Sequence, residues 1–174
     1  MKLEILDKQA GNCTTNRGDL VMDSIQIRRL LSEEQLPMSL LLLADPSKDV
    51  VESYIHRGHC FVAESNGEIV GVYVLIDTRP LTVELVNVAV AEARQGKGVG
   101  KRLVLHAIET ANSMGYKTLE LGTGNSSVDQ LALYQKCGFR LVGVDRDFFT
   151  IHYDDPIYEN GIQCRDMVRL ALKL

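Results

Sequence analysis

The stretch Glu84-Leu85-Val86-Asn87-Val88-Ala89-Val90 runs on into Arg94-Gln95-Gly96-Lys97-Gly98-Val99-Gly100-Lys101-Arg102, and the join between them decides the fold. The first run belongs to a strand from Thr82 to Val90. Strand alternation predicts Glu84, Val86, Val88 and Val90 on one face and Val83, Leu85, Asn87 and Ala89 on the other. Both faces are largely apolar, which predicts a central strand covered on both sides. From Gly98 the period turns helical: Val99, Leu103, Ala107 and Ala111 fall at i, i+4 spacing, with Val104 and Ile108 beside them and Gly115 as the stop. Strand, glycine-rich turn and helix is a recurring way of holding phosphates. The first helical turn has unpaired N–H groups and partial positive charge. Glycine lets the backbone approach an anion without a Cβ in the way.

Three ligand classes compete for such a turn. A P-loop requires G-x-x-x-x-G-K-[ST]; ending it at Gly100-Lys101 puts Gln95 in place of the first glycine and Arg102 in place of Ser or Thr. A Rossmann G-x-G-x-x-G from Gly96 meets Lys101 where its last glycine belongs. The third pattern, Q/R-x-x-G-x-G/A, is matched by Gln95, Gly98 and Gly100. It is the coenzyme A pyrophosphate turn of the GNAT superfamily of N-acetyltransferases, which the chain resembles. The strand Glu84 to Val90 resembles that family's fourth strand. Asn125 and the run Leu131-Ala132-Leu133-Tyr134-Gln135-Lys136-Cys137-Gly138-Phe139 resemble its later motif. The resemblance extends from about Ser24 to the end of the chain. It implies acetyl-CoA as co-substrate, held by Gln95, Gly96, Lys97, Gly98, Val99, Gly100 and Lys101, by the strand residues Val88, Ala89 and Val90, and by Asn125 and Tyr134.

Outward from this centre the pattern is α/β. Ile25, Ile27 and Leu30 mark a short strand. Ser32-Glu33-Glu34 offers a cap and first-turn acids for a helix through Ala44, with Pro37 near its start. Ser47 caps a second helix through about Arg57. His59 to Glu64 and Glu68 to Ile76 form a hairpin about Ser65-Asn66-Gly67. After the long helix come a strand Thr118 to Thr123, a helix Ser127 to Lys136 stopped by Gly138, a strand Phe139 to Val144 and a closing strand from about Asp166 to Leu172. This order predicts a three-layer α/β domain, a mixed central sheet flanked by helices on both faces, over residues 22–174. Residues 1–21 are polar and aperiodic and read as an arm.

Acyl transfer to an amine requires loss of an amine proton, stabilisation of an oxyanion and protonation of the leaving thiolate. No Ser-His-Asp or Cys-His set is evident, which favours direct attack by the amine in a ternary complex. Glu84, on its apolar strand, is the candidate base, acting directly or through water, and the resemblance makes Tyr134 the acid facing the coenzyme sulfur. The resemblance also gives the N–H of Val88 or a neighbour, at a local bulge of the family's fourth strand, the thioester carbonyl to polarise. Asn125 either touches the pantetheine arm or shapes its loop. Cys137 reads as a small buried thiol, because no base is identifiable for it.

Asp145 to Asn160 holds five carboxylates, one arginine and interleaved aromatics. It resembles the long connection with which many family members build an acceptor pocket. Glu84, His152, Tyr153, Tyr158 and Glu159 are therefore the expected acceptor contacts, suited to a cationic amine such as a polyamine or amino sugar. Protein or peptide amines, or a noncatalytic acyl-CoA sensor, are the alternatives. Gly161 to Leu174 reads as the closing strand or as part of a homodimer contact. A net charge of -4 argues against nucleic acid or anionic membrane as the main partner. No apolar run approaches the roughly 20 residues that cross a bilayer. With no secretory h-region evident and four cysteines in no metal-ligand spacing, the expectation is a cytoplasmic protein without a metal.

Overall fold

The computed structural model describes residues 24–174, so the expected arm lies outside the described residues. The chain runs β1 (Gln26–Arg29), α1 (Met38–Ala44), α2 (Lys48–Ile55), β2 (His59–Ser65), β3 (Glu68–Arg79) and β4 (Thr82–Val90). It continues through α3 (Val99–Ser113), β5 (Thr118–Gly124), α4 (Val128–Lys136), β6 (Arg140–Asp145), α5 (Phe148–His152), β7 (Ile157–Glu159), β8 (Ile162–Cys164) and β9 (Met167–Lys173). One seven-stranded sheet has the order β1-β2-β3-β4-β5-β9-β6, and β7 and β8 form a separate hairpin. The sheet is mixed: β4 and β5 are parallel and the other adjacent strands antiparallel.

Two apolar layers sandwich it. On one face Val99, Leu103, Val104, Ala107 and Ala111 of α3 and Tyr134 of α4 pack on Tyr73, Leu75, Val83 and Leu85. On the other, Leu40, Leu41, Val51, Tyr54 and Ile55 of α1 and α2 pack on Val62, Val72, Val74 and Ile76. This is the expected three-layer arrangement. Within the α3 face, the Tyr73 hydroxyl lies 2.8 Å from Nδ1 of His106 and donates to Oγ1 of Thr110 at 3.2 Å.

Three local readings are corrected. The first helix begins at Met38, after Pro37, whose carbonyl accepts from Leu40 and Leu41. Glu34 does not serve a helix start: its carboxylate takes the Arg28 guanidinium at 2.8 Å and the N–H of Leu31, and the arginine holds it down at about 2. The alternation along β4 also fails midway. Val74 pairs with Asn87 and Leu75 with Leu85, which leaves Val86 as an extra residue in a β-bulge. One inserted residue shifts a period of two by one step. Val83 and Leu85 therefore share the α3 face with Val88 and Val90, while Val86 and Ala89 face α1 and α2. Finally, Asp145 to Cys164 contains a short helix and the hairpin as well as connecting loop, and the closing strand starts at Met167.

The ladder between β4 and β5 is short. It consists of Thr82↔Thr118, Val83↔Leu119 and Glu84↔Glu120, whereas β5 continues beside β9 as far as Gly124↔Met167. Past Glu84, β4 follows β3 and leaves β5, and the gap opens toward the α3 N-terminus.

Candidate active site

The turn at that N-terminus is shaped by two left-handed glycines, Gly96 at φ 71° and Gly98 at φ 80°. Such a backbone costs a side-chain-bearing residue energy and glycine little. Gly98 caps α3, whose first intrahelical bond runs from Arg102 N to Gly98 O at 3.1 Å. The N–H groups of the intervening turn have no helical acceptor. Gln95 Nε2 donates to the Val90 carbonyl at 3.1 Å and so ties the turn to the end of β4. Lys97 Nζ donates to Ala93 O at 3.0 Å. Gly100 lies beside Val90 of β4 and Leu133 of α4. Helix terminus, strand end and α4 thus converge on the mouth of the gap.

Backbone groups of β4 address the same gap. Ala91 N donates to Val70 O at 2.9 Å, toward β3. Alternation then turns Ala89 toward β3, and Val88 and Val90 toward the edge that β5 has left. Tyr134, next to Leu133, is 6% exposed, with its ring edge-on to Phe139 at 6.2 Å between centroids. Burial pushes its phenol up to about 12, which keeps it protonated across the neutral range. The Cys137 thiol is likewise pushed up by burial, with Lys101 acting against the shift, so it is poorly disposed to form a thiolate.

Glu84 does not stand alone on its strand. Arg169 of β9 pairs with it at 2.9 Å and reaches Asp145 at 2.6 Å, and its guanidinium lies 5.9 Å from the Phe148 ring centroid. From Phe148 a run of contacts leads back to β4. Phe148 meets Phe149 at 5.3 Å and Phe149 meets Tyr153 at 5.6 Å. Tyr153 donates to Asp45 Oδ1 at 3.2 Å, just beyond the C-terminus of α1. Asp45 N and Asn87 Nδ2 both donate to the Leu41 carbonyl, at 3.1 and 3.0 Å, and Asn87 Nδ2 also donates to the Tyr54 hydroxyl at 2.8 Å. Asn87 and Glu84 are three residues apart on the α1/α2 side of β4. Along this run Glu84, Asp145 and Asp45 supply negative charge, and Phe148, Phe149 and Tyr153 supply aromatic rings.

Of the remaining expected contacts, Glu159 and Tyr158 lie on the β7–β8 hairpin and His152 beside Phe148. Glu159 accepts from Ser127 Oγ at 2.5 Å and Ser126 Oγ at 3.2 Å, fastening the hairpin to the start of α4, where a carboxylate suits the helix dipole. Tyr158 is 65% exposed on the same hairpin. His152 is exposed, its ring 4.6 Å from Phe148. Asn125 shapes its loop: Nδ2 donates to Gln163 O at 3.0 Å, and Oδ1 accepts from Arg165 N at 2.8 Å and Asp166 N at 3.0 Å. Arg169, Asp45, Asn87 and Tyr54 were not singled out from the sequence. A polar asparagine in an otherwise apolar strand was the one available signal. Among the described residues, no cluster of three or more His, Cys, Asp or Glu side chains could hold a metal. No helix of the described residues is long and apolar enough to cross a membrane.

A sheet parted beside a glycine turn and a long helix, with a protonated tyrosine on the adjacent helix, is an α/β arrangement suited to an extended anionic ligand. The family model for the acetyltransferase (GNAT) family matches residues 26–139, and the chain belongs to that family. The uncharacterized N-acetyltransferase YvbK of Bacillus subtilis is 64% identical over 135 residues, covering 78% of this chain and 87% of YvbK. A B. subtilis acetyltransferase solved in complex with CoA is 58% identical, with a TM-score of 0.83 over 87% of this chain and 99% of that one. A GNAT family acetyltransferase from Elizabethkingia anophelis with acetyl-CoA bound is 45% identical, with a TM-score of 0.86 and the same coverage. The reaction class is accordingly acyl transfer from an acyl-coenzyme A.

Proposed function

We infer that this enzyme moves an acetyl group from acetyl-CoA to a primary amine of a small cationic molecule, by direct attack within a ternary complex. The observation that carries the acceptor class is the run of contacts from Glu84 through Arg169, Phe148, Phe149 and Tyr153 to Asp45. Carboxylates among aromatic rings lower the cost of desolvating an ammonium group.

On this reading the pyrophosphate lies against the Gln95–Lys101 turn and the thioester against Val88 and Val90, whose N–H groups polarise its carbonyl. The amine gives a proton to Glu84, directly or through water, and its nitrogen lone pair attacks the carbonyl carbon. Collapse of the tetrahedral intermediate breaks the C–S bond, and Tyr134 protonates the departing thiolate. Arg169 competes with the amine proton for Glu84, and its second carboxylate, Asp145, keeps the guanidinium in place. We place the reaction in the cytoplasm, which the cysteine spacing suits.

The test is a panel of amines with acetyl-CoA, read by free thiol release. Small di- and polyamines and amino sugars should release thiol well above the acetyl-CoA blank. Release confined to lysine-bearing peptides would transfer the assignment to a protein acetyltransferase. Calorimetric acetyl-CoA binding with no release across the panel would make the chain a sensor.

A further inference from the structure

Beyond Glu84, the α1/α2 face of β4 holds a second polar cluster that the chemical step does not use. Asn87 is 2% exposed, and its Nδ2 donates to the Leu41 carbonyl at 3.0 Å and to the Tyr54 hydroxyl at 2.8 Å. Its Oδ1 is buried without a hydrogen-bond partner. A buried amide oxygen left so loses its water without replacement. The Leu41 carbonyl also accepts from Asp45 N at 3.1 Å, which sets the Asn87 amide and Asp45 around one atom. Asp45 is half-buried. Both of its hydrogen bonds, from Ser47 N at 3.1 Å and from the Tyr153 hydroxyl at 3.2 Å, arrive at Oδ1. Its Oδ2 therefore remains open, and no cation pairs with it among the described residues. Burial raises the Asp45 carboxyl above its ordinary value, the mark of a charge lacking a counter-ion. The Tyr54 hydroxyl accepts from Asn87 and keeps its own proton to give. Two acceptors without partners and a donor thus belong to side chains joined through the Leu41 carbonyl and the Asn87 amide.

We propose that Asp45, Asn87, Tyr54 and Tyr153 form a second acceptor subsite, which takes a positively charged hydrogen-bond donor at the end of the amine remote from the acetylated nitrogen. This rests on the preceding assignment of the acceptor to the Glu84 face. The ligand is a primary ammonium group: it donates to Asp45 Oδ2, and its charge offsets the half-buried carboxylate behind which Asn87 and Tyr54 are buried. Glu84 and Asn87 are three strand residues apart, about 10 Å at most. A short aliphatic diamine spans that interval, whereas a monoamine fills only the reacting end.

The experiment compares butane-1,4-diamine with butylamine as acceptors for the wild-type chain and for Asp45→Asn, by thiol release at saturating acetyl-CoA. Asparagine keeps the size of the side chain and an oxygen for Ser47 and Tyr153, but loses the charge. Wild-type kcat/KM should favour the diamine at least tenfold, and Asp45→Asn should bring the ratio toward one, the loss falling on KM for the diamine. Equal use of both amines by the wild type overturns the subsite, as does an undiminished preference in Asp45→Asn. If Asp45→Asn does not fold, Asp45→Ser carries the same comparison. Acetyl-CoA binding without acetylation of either amine refutes instead the small-amine assignment, and the subsite falls with it.

Discussion

Replacing Gly100 by alanine separates what the glycine turn does for folding from what it does for the coenzyme. Gly100 is the second residue of α3 and, unlike Gly96 and Gly98, does not have a positive φ. A Cβ built there meets Val90 Cγ2 at 3.8 Å and Leu133 Cδ2 at 3.9 Å, both ordinary contacts. Neither strain nor overpacking opposes the change, and alanine exceeds glycine within a helix by about 0.5–1 kcal/mol. For a domain of this size that is a rise in melting temperature of about 1–4 °C. The added methyl group points between Val90 and Leu133, and the pattern Q/R-x-x-G-x-G/A itself admits alanine at this position. Coenzyme A affinity should therefore stay within about threefold, a change of less than about 0.7 kcal/mol. Thermal melting of the unliganded protein and calorimetric titration with coenzyme A measure the two effects separately. Gly98→Ala supplies the contrast: nothing lies within 4 Å of its Cβ, but φ is 80°, so folding itself loses about 1–2 kcal/mol. A lower melting temperature for Gly100→Ala would refute the conformational argument. A raised melting temperature with coenzyme A affinity lowered about tenfold or more would refute the reading of Gly100 as the G/A position of the turn.

Two further outcomes follow from buried titratable groups. Tyr134→Phe removes the protonated phenol and should lower kcat about 100-fold or more, with little change in acetyl-CoA affinity by calorimetry; intact turnover would leave Tyr134 a packing residue. Burial lowers His106 below the ordinary histidine value of 6.5, with Glu109 acting weakly in the opposite direction. The unfolded chain then takes up this proton first, so the stability is fully present above pH 6.5 and lost as pH falls through the folded value. Melting temperatures from pH 8 to pH 5 should fall less steeply in His106→Gln, and parallel curves would exclude this linkage.

Features with a local cause were legible in the sequence. The α3 stripe, the β2–β3 hairpin and the left-handed turn glycines are each written within a dozen or so residues, and the structure has them where the spacing puts them. A bulge in β4 is implied by the resemblance, but its place at Val86 was not legible, because an inserted residue shows only against the register of β3. That missed step leaves Glu84, Val86 and Asn87 on one face where strict alternation would separate Asn87 from the other two. Arg169 was hidden for a related reason: it is 85 residues from its partner Glu84, and only the crossing of β9 beside β5 brings them together. Asp45 looked like an ordinary residue after a helix until Tyr153 came across to it. Glu159 had the composition expected of an acceptor contact, but the serines at the start of α4 occupy it.

The short ladder between β4 and β5 has a consequence for the upkeep of the protein. Beyond Glu84 and Glu120 the sheet stops being a closed fabric: Gln95 takes the Val90 carbonyl, and Val88 turns its backbone groups toward a place where the described residues supply no neighbouring strand. An amide-bearing ligand lying in the gap supplies that neighbour. Its binding energy then adds to the cohesion of the sheet as RT ln(1 + [L]/Kd). Co-substrate supply would thereby govern how long each folded copy persists as well as how fast it turns over.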